Sequence, residues 1–552
     1  MGGPVNIAQA LSEMARERPQ AIALRVPQQA SRGAELPPYL DISYADLDAG
    51  SDHCAAALAH AGISRGMKTA LMVRPGRALF ELMFALFKLG AVPVLIDPGI
   101  DRRALRQCLA EAAPEAFVGI PLAQLARIVL GWARRSVRIK VTVGGRLAWG
   151  GQRLDTLRAA VPAQRLDAAP TQADELAAIL FTSGSTGVPK GVEYLHRHFL
   201  AQVELLREAF ALAPGLVNMP TFPPFALFDP ALGSTSVIPD MDPTRPASAD
   251  PRKLVAAIER YGVDMLFGSP ALLDTLSRHC AQHGLRLPGL RRVISAGAPV
   301  APAILARLRP LLDDDAGIYT PYGATECLPL AVIESRELLQ ERARTEAGAG
   351  TCVGRPLAAN TVRIIAITDA PIADWSEVVE LPPGTVGEIT VAGPTTTERY
   401  HARPEATALA KIRDGARSVH RMGDLGYFDA AGRLWFCGRK SQRVRTAAGD
   451  IYTEQVEPIF NAIAGVRRSA LVGVGTAGAQ CAVLCLELER DAADAAERIE
   501  AEARNLARQH AHTRGLEHFL FHPAFPVDIR HNAKIGREKL AVWAAQRLGA
   551  AR

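Results

Sequence analysis

The chain is short of the features that would place it in several common classes. Eight cysteines among 552 residues are too few for a disulfide framework. Only Cys481 and Cys485 lie close together, and a lone CxxxC has no zinc-type partner spacing. All eight read as reduced and mostly packed thiols of a cytoplasmic protein. No hydrophobic run is long enough for a bilayer. The most apolar segment, "LFELMFALFKLGAVPVLIDP", is interrupted by Glu81, Lys88, Gly90 and Pro93 and suits a helix feeding a buried strand. The stretch "MGGPVNIAQALSEMARERPQAIAL" has the pattern of a capped amphipathic helix and lacks that of a signal peptide. Clustered charge is absent too. Lys and Arg number 63 against 57 Asp and Glu, a net of +6, and pairs such as Arg102-Arg103 and Arg467-Arg468 are scattered. A nucleic-acid surface would gather its basic residues and interleave them with aromatics, so no such partner is expected. Repeats and low-complexity tracts are also missing.

What is present is an ordinary globular balance, 48% hydrophobic and 22% charged, in a chain too long for a single core. Strand-like runs alternate with helical patterns. Strands at 69–75, 90–97, 264–270 and 291–299 precede helices at 78–89, 101–112, 271–283 and 301–312. That alternation predicts parallel sheets and an α/β class. From about 381 the pattern shifts to short strands and turns, with a hairpin through Asp429–Gly432. A smaller α+β segment follows, with strands near 469–475 and 482–488. The stretch 143–174 reads as a polar, irregular connection. The expected architecture is a large N-terminal domain, 1–438, of parallel-rich sheets with flanking helices plus a β-rich subdomain. A hinge at 439–441 then leads to a small α+β lid, 442–552.

One stretch carries chemistry. "LAAILFTSGSTGVPKGVEYLHRHF" sets a buried strand, 176–181, directly before ten residues rich in Gly, Ser and Thr. Glycines let backbone N–H groups approach a phosphate closely. Thr182, Ser183, Ser185 and Thr186 add hydroxyl donors and Lys190 adds a point charge. A plain surface turn needs none of these. The pattern is no Walker A loop, because Pro189 precedes the lysine and Gly191 follows it.

The stretch resembles the phosphate loop of the adenylate-forming superfamily of acyl-CoA synthetases, luciferases and nonribosomal adenylation domains. Further motifs of that superfamily follow in order: "SAGAP" (295–299), "TPYGATE" (320–326), "GEITVAGP" (387–394), "HRMGDLGYFDAAGRLWFCGR" and "DIRHNAKIGREKL" (528–540). The resemblance implies ATP and Mg²⁺ as cofactors. It implies a phosphate loop of Thr182, Ser183, Gly184, Ser185, Thr186, Gly187 and Lys190, and an adenine wall of Gly297, Ala298, Pro299, Tyr322 and Gly323. Thr325 stands beside Glu326, the implied Mg²⁺ ligand, whose hard oxygen suits that ion. Asp424 and Arg439 are implied at the ribose, and Lys534 at the carboxylate–phosphate transition state. Lys534, Glu326, Thr325 and Lys190 form the implied catalytic set, since two anions meet only when their charge is offset.

Within the superfamily, "LFKLGAVPVLIDPGIDRRALRQCL", "PTFPPFALFDPALG", "IPDMDPTRPA", "YTEQVEPIFNAIAGV" and "FPVDIRHNAKIGREKLAVWA" resemble the β-lactone synthetases of bacterial long-chain olefin biosynthesis, nearly end to end. That implies a 2-alkyl-3-hydroxy fatty acid converted to a β-lactone through acyl-AMP. It also implies a thiolase, a reductase and a β-lactone decarboxylase as partners. A long-chain acyl-CoA synthetase shares every nucleotide motif and is the alternative. Three departures from the common acyl-CoA synthetase pattern stand out. Ser441 occupies a hinge position that is usually acidic. Ala226 occupies a gating position often held by His or an aromatic, with Phe222, Phe225, Leu227 and Phe228 around it as acyl-site candidates. Ala533 stands where Gly usually precedes the lysine. No base for the hydroxyl proton is identified; His196, His198 and His531 are near the motifs and read as structural.

Overall fold

The computed structural model describes residues 5–28, 36–97, 99–182, 189–527 and 535–550. Ser183, Gly184, Ser185, Thr186, Gly187, His531, Ala533 and Lys534 lie outside the described residues.

Two large sheets dominate. The first has seven strands and is mostly parallel, with Lys68–Met72 between Val92–Leu95 and Ala116–Gly119. Leu176–Phe181 joins it parallel to Val92–Leu95, and Gly191–Leu195 returns antiparallel at the edge. The glycine-rich loop is therefore the connection of a hairpin, not a strand-to-helix turn. The second sheet has 14 strands. Its parallel part runs Ile22–Pro27, Thr235–Val237, Val217–Pro220, Met265–Phe267, Arg292–Ile294, Gly317–Ala324. It then continues antiparallel through Cys327–Glu334, Thr351–Pro356, Leu434–Arg439, Arg417–Phe428, Gly387–Ala392 and Thr361–Ile365. The β-rich portion expected after 381 is thus joined strand by strand to the parallel sheet, and one ladder spans both.

The parallel strands are buried on both faces, so their sequences are near-continuous apolar runs. Helices Tyr44–His60 and Arg77–Lys88 pack on each other and on the sheet. The first starts at Ser43, whose hydroxyl accepts from the Asp46 N–H while Asp46 reaches back. Such a capping box is worth about 1 kcal/mol. The apolar run noted at 79–88 is this second helix, with every residue from Leu79 to Lys88 buried. Lys88 is tolerated there because Asp48 at 2.6 Å and Asp52 neutralise it. Among the described residues no helix is long and apolar enough to cross a membrane. The eight cysteines carry no disulfide, and seven are buried.

Beyond Arg439 lies a three-stranded sheet, Val466–Val474, Cys481–Leu488 and His518–Phe521, with its own apolar core. Helices Thr453–Asn461 and Ala496–Gln509 pack on it. Gly438 has φ +120, and a Cβ there would stand 2.3 Å from the Thr453 hydroxyl. Only glycine lets the strand and the helix approach so closely.

The stretch 143–174 is less irregular than its composition suggests. It holds helix Leu154–Ala159, which forms because Leu154 and Leu157, three apart, both bury. The N-terminal helix is Gln9–Glu17 and has no side-chain N-cap of its own. Asn6 instead accepts from the Ala8 N–H at 2.9 Å.

Candidate active site

Residues from four separate motifs meet at the ends of these strands. Thr325 and Glu326 are the two central residues of a tight hairpin, closed by Ala324 opposite Cys327. The turn fixes their backbone, and the core around it fixes the side chain: Glu326 is 8% exposed. Its Oε1 accepts from the Tyr400 hydroxyl at 2.5 Å. Thr397 donates its N–H to the Glu326 carbonyl at 2.9 Å. Lys190 comes from the far hairpin, and its ammonium stands 4.8 Å from the centre of the Tyr400 ring. Burial lowers the Lys190 pKa, while the Glu326 charge works the other way. At the base of the glycine-rich loop, the Thr182 N–H donates to the Lys190 carbonyl at 3.0 Å. The Lys190 N–H returns to the Thr182 hydroxyl at 3.2 Å. The loop's two ends are thereby clasped.

Asp424 and Arg439 are direct partners across adjacent strands. Asp424 is buried, and its Oδ2 accepts from the Tyr322 hydroxyl at 2.6 Å. Arg439 Nη1 is 2.9 Å from the other oxygen, yet no N–H points along that line, so Asp424 Oδ1 is buried without a hydrogen bond. Burial raises the Asp424 pKa; Arg439 and Tyr322 oppose it. Arg439 is in turn raised, chiefly by Asp424 and in part by Glu326 and Tyr400, which shows that the two clusters share one field. Gly297, with φ +91, bends the chain where the parallel strand Arg292–Ile294 ends, and Ala298 and Pro299 follow it. This is the carboxyl end of the sheet, where ligands of open α/β folds bind.

A narrow cavity of about 60 Å³ opens beside this wall. Phe225, Phe228, Phe267, Met265 and Leu232 make most of it apolar, and Gln202, Asn218 and Asp229 are its polar members. The Phe225 and Phe267 rings stack with centroids 4.2 Å apart. Of the acyl-site candidates, Phe225 and Phe228 line the cavity. Ala226 is fully buried in the core and, like Phe222 and Leu227, is not among the lining residues.

A family model described as AMP-binding enzyme matches residues 11–401. The chain belongs to the AMP-binding enzymes. It is 62% identical over 558 residues to the olefin beta-lactone synthetase of Stenotrophomonas maltophilia (strain K279a), covering 99% of each chain. It is 62% identical over 549 residues to that of Xanthomonas campestris pv. campestris, covering 98% of each. Among solved structures it resembles the amide bond synthetase McbA from Marinactinospora thermotolerans, with TM-score 0.78, 25% identity and 98% and 99% of the two chains covered. The anthranilate CoA ligase AuaEII, solved with anthranoyl-AMP, shares the fold at TM-score 0.78, 17% identity and 100% and 99% coverage.

In this AMP-binding enzyme, Lys190, Tyr322, Glu326, Asp424 and Arg439 converge. Ser441 is exposed, in a short helical turn after the last strand of the large sheet. His196 and His198 face elsewhere. The His196 ring nitrogen accepts from the Ile7 N–H at 3.2 Å and its pKa is pushed down to about 4 by burial. The His198 ring accepts from the Leu195 N–H at 3.1 Å. Both sit in the helix-start framework, so neither is placed to take a proton at the cavity. Three residues at the site carry no local sequence signal: Tyr400, Gln202 and Lys411. Lys411 is buried, donates to Thr397, and is pushed down to about 8 by burial against the pull of Glu326.

The donor set fits Mg²⁺ as a partner. No group of three or more metal-binding side chains occurs among the described residues. A single carboxylate suits an ion that keeps water and phosphate oxygens for its other positions.

Proposed function

We infer that this protein is an adenylate-forming ligase that converts a 2-alkyl-3-hydroxy fatty acid to a β-lactone in olefin hydrocarbon biosynthesis, with ATP consumed to AMP and pyrophosphate. The observation that carries the reading is 62% identity to two olefin beta-lactone synthetases over 98–99% of every chain concerned.

In the first step a carboxylate oxygen bonds to the α-phosphorus and the α–β phosphoanhydride bond breaks. Lys190 and the loop around it hold the phosphates. Tyr322 and the 297–299 segment flank the adenine. Asp424 Oδ1, the buried oxygen without a hydrogen bond, accepts from a ribose hydroxyl, with Arg439 beside it. Glu326 would hold Mg²⁺, which supplies positive charge to the phosphates. Lys534 serves the same transition state from the C-terminal lid, 442–552, which follows the hinge segment 439–441. In the second step the substrate's own hydroxyl oxygen bonds to the acyl carbon, its proton is released, and the bond to AMP breaks. Tethering offsets ring strain, because well-oriented intramolecular attack reaches effective molarities of roughly 10⁵–10⁸ M. A cytoplasmic location, and thiolase, reductase and β-lactone decarboxylase partners, belong to the same reading.

The test is incubation with ATP, Mg²⁺ and a racemic 2-alkyl-3-hydroxy acid, with and without CoA, with products identified by NMR and mass spectrometry. The expected products are the β-lactone, AMP and pyrophosphate, at a rate indifferent to CoA. An acid lacking the hydroxyl should stall as bound acyl-AMP. Formation of acyl-CoA from that acid at comparable turnover would overturn the reading.

A further inference from the structure

The acyl cavity holds a polar group whose bonding is incomplete in a way that specifies the missing partner. Gln202, on helix His196–Ala209, is 5% exposed and lines the cavity. Its Nε2 donates to the Leu328 carbonyl at 3.2 Å and to the Tyr194 hydroxyl at 3.4 Å. A carbonyl only accepts, so the amide's orientation follows from this contact: nitrogen toward Leu328, oxygen away. The Tyr194 hydroxyl passes its own proton to the Thr325 carbonyl. Both hydrogens of the Gln202 amide are therefore engaged at the turn that carries Thr325 and Glu326. Its Oε1 is buried with no hydrogen-bond partner.

A buried acceptor left without a donor is destabilising, and native proteins rarely keep one unless a ligand or water completes it. The cavity's other such acceptor, Asn218 Oδ1, belongs to an amide tied to Asp229 at 2.9 and 3.0 Å. Gln202 alone of the two is tied to the nucleotide turn, which the reacting carboxylate must approach. A hydroxyl on the third carbon is two carbons from that carboxylate oxygen's own carbon, within reach of the same residue.

We propose that Gln202 Oε1 accepts a hydrogen bond from the substrate's 3-hydroxyl and so selects 3-hydroxy acids over acids that lack the group. This rests on the β-lactone reading above. The amide is not a base and takes no proton; it orients the hydroxyl and leaves an oxygen lone pair for attack on the acyl carbon. Gln202 is thus a specificity-determining residue within a largely apolar wall.

The experiment compares a 2-alkyl-3-hydroxy acid with its 3-fluoro counterpart, similar in size but unable to donate. Because an acid without the hydroxyl stalls as acyl-AMP, pyrophosphate release is measured in a single turnover, with enzyme in excess over acid, for wild type, Gln202→Met and Gln202→Asn, each checked by thermal melting. Wild type should favour the hydroxy acid in the second-order rate constant of that first turnover by roughly 10-fold or more, the scale of one unpaired buried acceptor. In Gln202→Met the ratio should fall to within about twofold, with the fluoro acid little changed. If that variant does not fold, Gln202→Asn, whose amide is set back by one methylene, reads the same ratio. Equal losses with both acids would mean that Gln202 merely props Tyr194 and the turn, and would overturn the proposal. So would a wild type that does not discriminate. Product analysis keeps the two claims apart. Lactone from wild type with the ratio intact in the variants defeats only the Gln202 assignment. Absence of lactone from wild type defeats the functional reading, whatever the ratio.

Discussion

The nucleotide wall and the acyl cavity are built by opposite means. On the wall, Tyr322, Asp424 and Arg439 stand on paired strands and Glu326 on the tight turn between two of them. The polar groups there bind each other: Tyr322 to Asp424, Tyr400 to Glu326. The cavity is assembled from short helices and strand ends, with Phe225 packed on Phe222 and Phe267, and of its few polar groups Asn218 and Asp229 bind each other while Gln202 is tied to the nucleotide turn. A ladder fixes the backbone beneath a side chain, and charge stabilisation in a transition state requires placement within about 0.5 Å. An apolar wall tolerates changes of shape and so can suit different chains. Changes on the wall should therefore cost rate and spare selectivity, whereas changes in the cavity should do the reverse.

The sharpest way to break this contrast is Glu326→Gln. The substitution keeps the shape and the hydrogen bond from Tyr400 but removes the negative charge. Pyrophosphate release should drop by roughly 10²–10³-fold, the usual scale for one electrostatic group of an active site. The melting temperature and the ranking of acyl chains should hold. Near-wild-type release would take Glu326 out of the site.

In the cavity, Phe225→Ala should act on stability and selectivity instead. Loss of this half-buried ring should cost less than the roughly 3 kcal/mol of truncating a fully buried Phe. Surviving protein should accept bulkier 2-alkyl groups better relative to small ones, with the KM for ATP unmoved. Melting and a chain-length series on the same preparation test it. A raised ATP KM with unchanged chain preference would erase the distinction between the two regions.

Much of the wall was legible because its residues sit within local motifs whose glycines and hydroxyls are unusual in themselves. The alternation of apolar runs likewise pointed to parallel sheets, although the run at 264–270 pairs only over Met265–Phe267. Tyr400 and Gln202 were not legible. Each reaches the site by tertiary packing from a segment with no motif, and a lone Tyr or Gln on an apolar background reads as core. Ala226 failed for a related reason: its neighbours alternate around a one-turn helix, so adjacent residues face core and cavity in turn. The joining of the β-rich portion to the large sheet depends on the pairing of Ala331 with Pro356, about two dozen residues on, which no periodicity announces.

Asp229 offers a pH test of the cavity side. It is fully buried, accepts from Ser236 and from Asn218, and its carboxyl is pushed up to about 7 by burial. The folded protein therefore keeps a proton that the unfolded chain releases in the ordinary carboxylate range. Across the interval between those two values the native state binds more protons, so this residue's contribution to stability falls as pH rises. The substitution Asp229→Asn removes the ionisable group. The variant carries a pH-independent cost from an amide facing donors, but it escapes the buried charge. Its melting temperature relative to wild type should improve between about pH 5 and about pH 8, by the equivalent of roughly 2–3 kcal/mol. A difference that is flat across that range would show Asp229 ionised throughout, and the cavity more polar than its lining suggests.

The smallest effect expected is also the one that best tests whether the wall acts as a unit. Tyr400 donates to Glu326 Oε1 at 2.5 Å and offers its ring face to Lys190 at 4.8 Å. Tyr400→Phe keeps the ring and so the contact with the ammonium. It removes only the hydroxyl, leaving Glu326 without the donor that aims its carboxylate. If that aim matters to metal binding, the Mg²⁺ concentration giving half-maximal pyrophosphate release should rise by roughly 10-fold, the scale of one hydrogen bond to a charged group. The maximal rate should recover at high Mg²⁺, and acyl-chain preference should not move. A fall in maximal rate that Mg²⁺ cannot restore would mean instead that Tyr400 acts through Lys190 and the phosphates. The hydroxyl and the ring would then have exchanged the roles their geometry assigns.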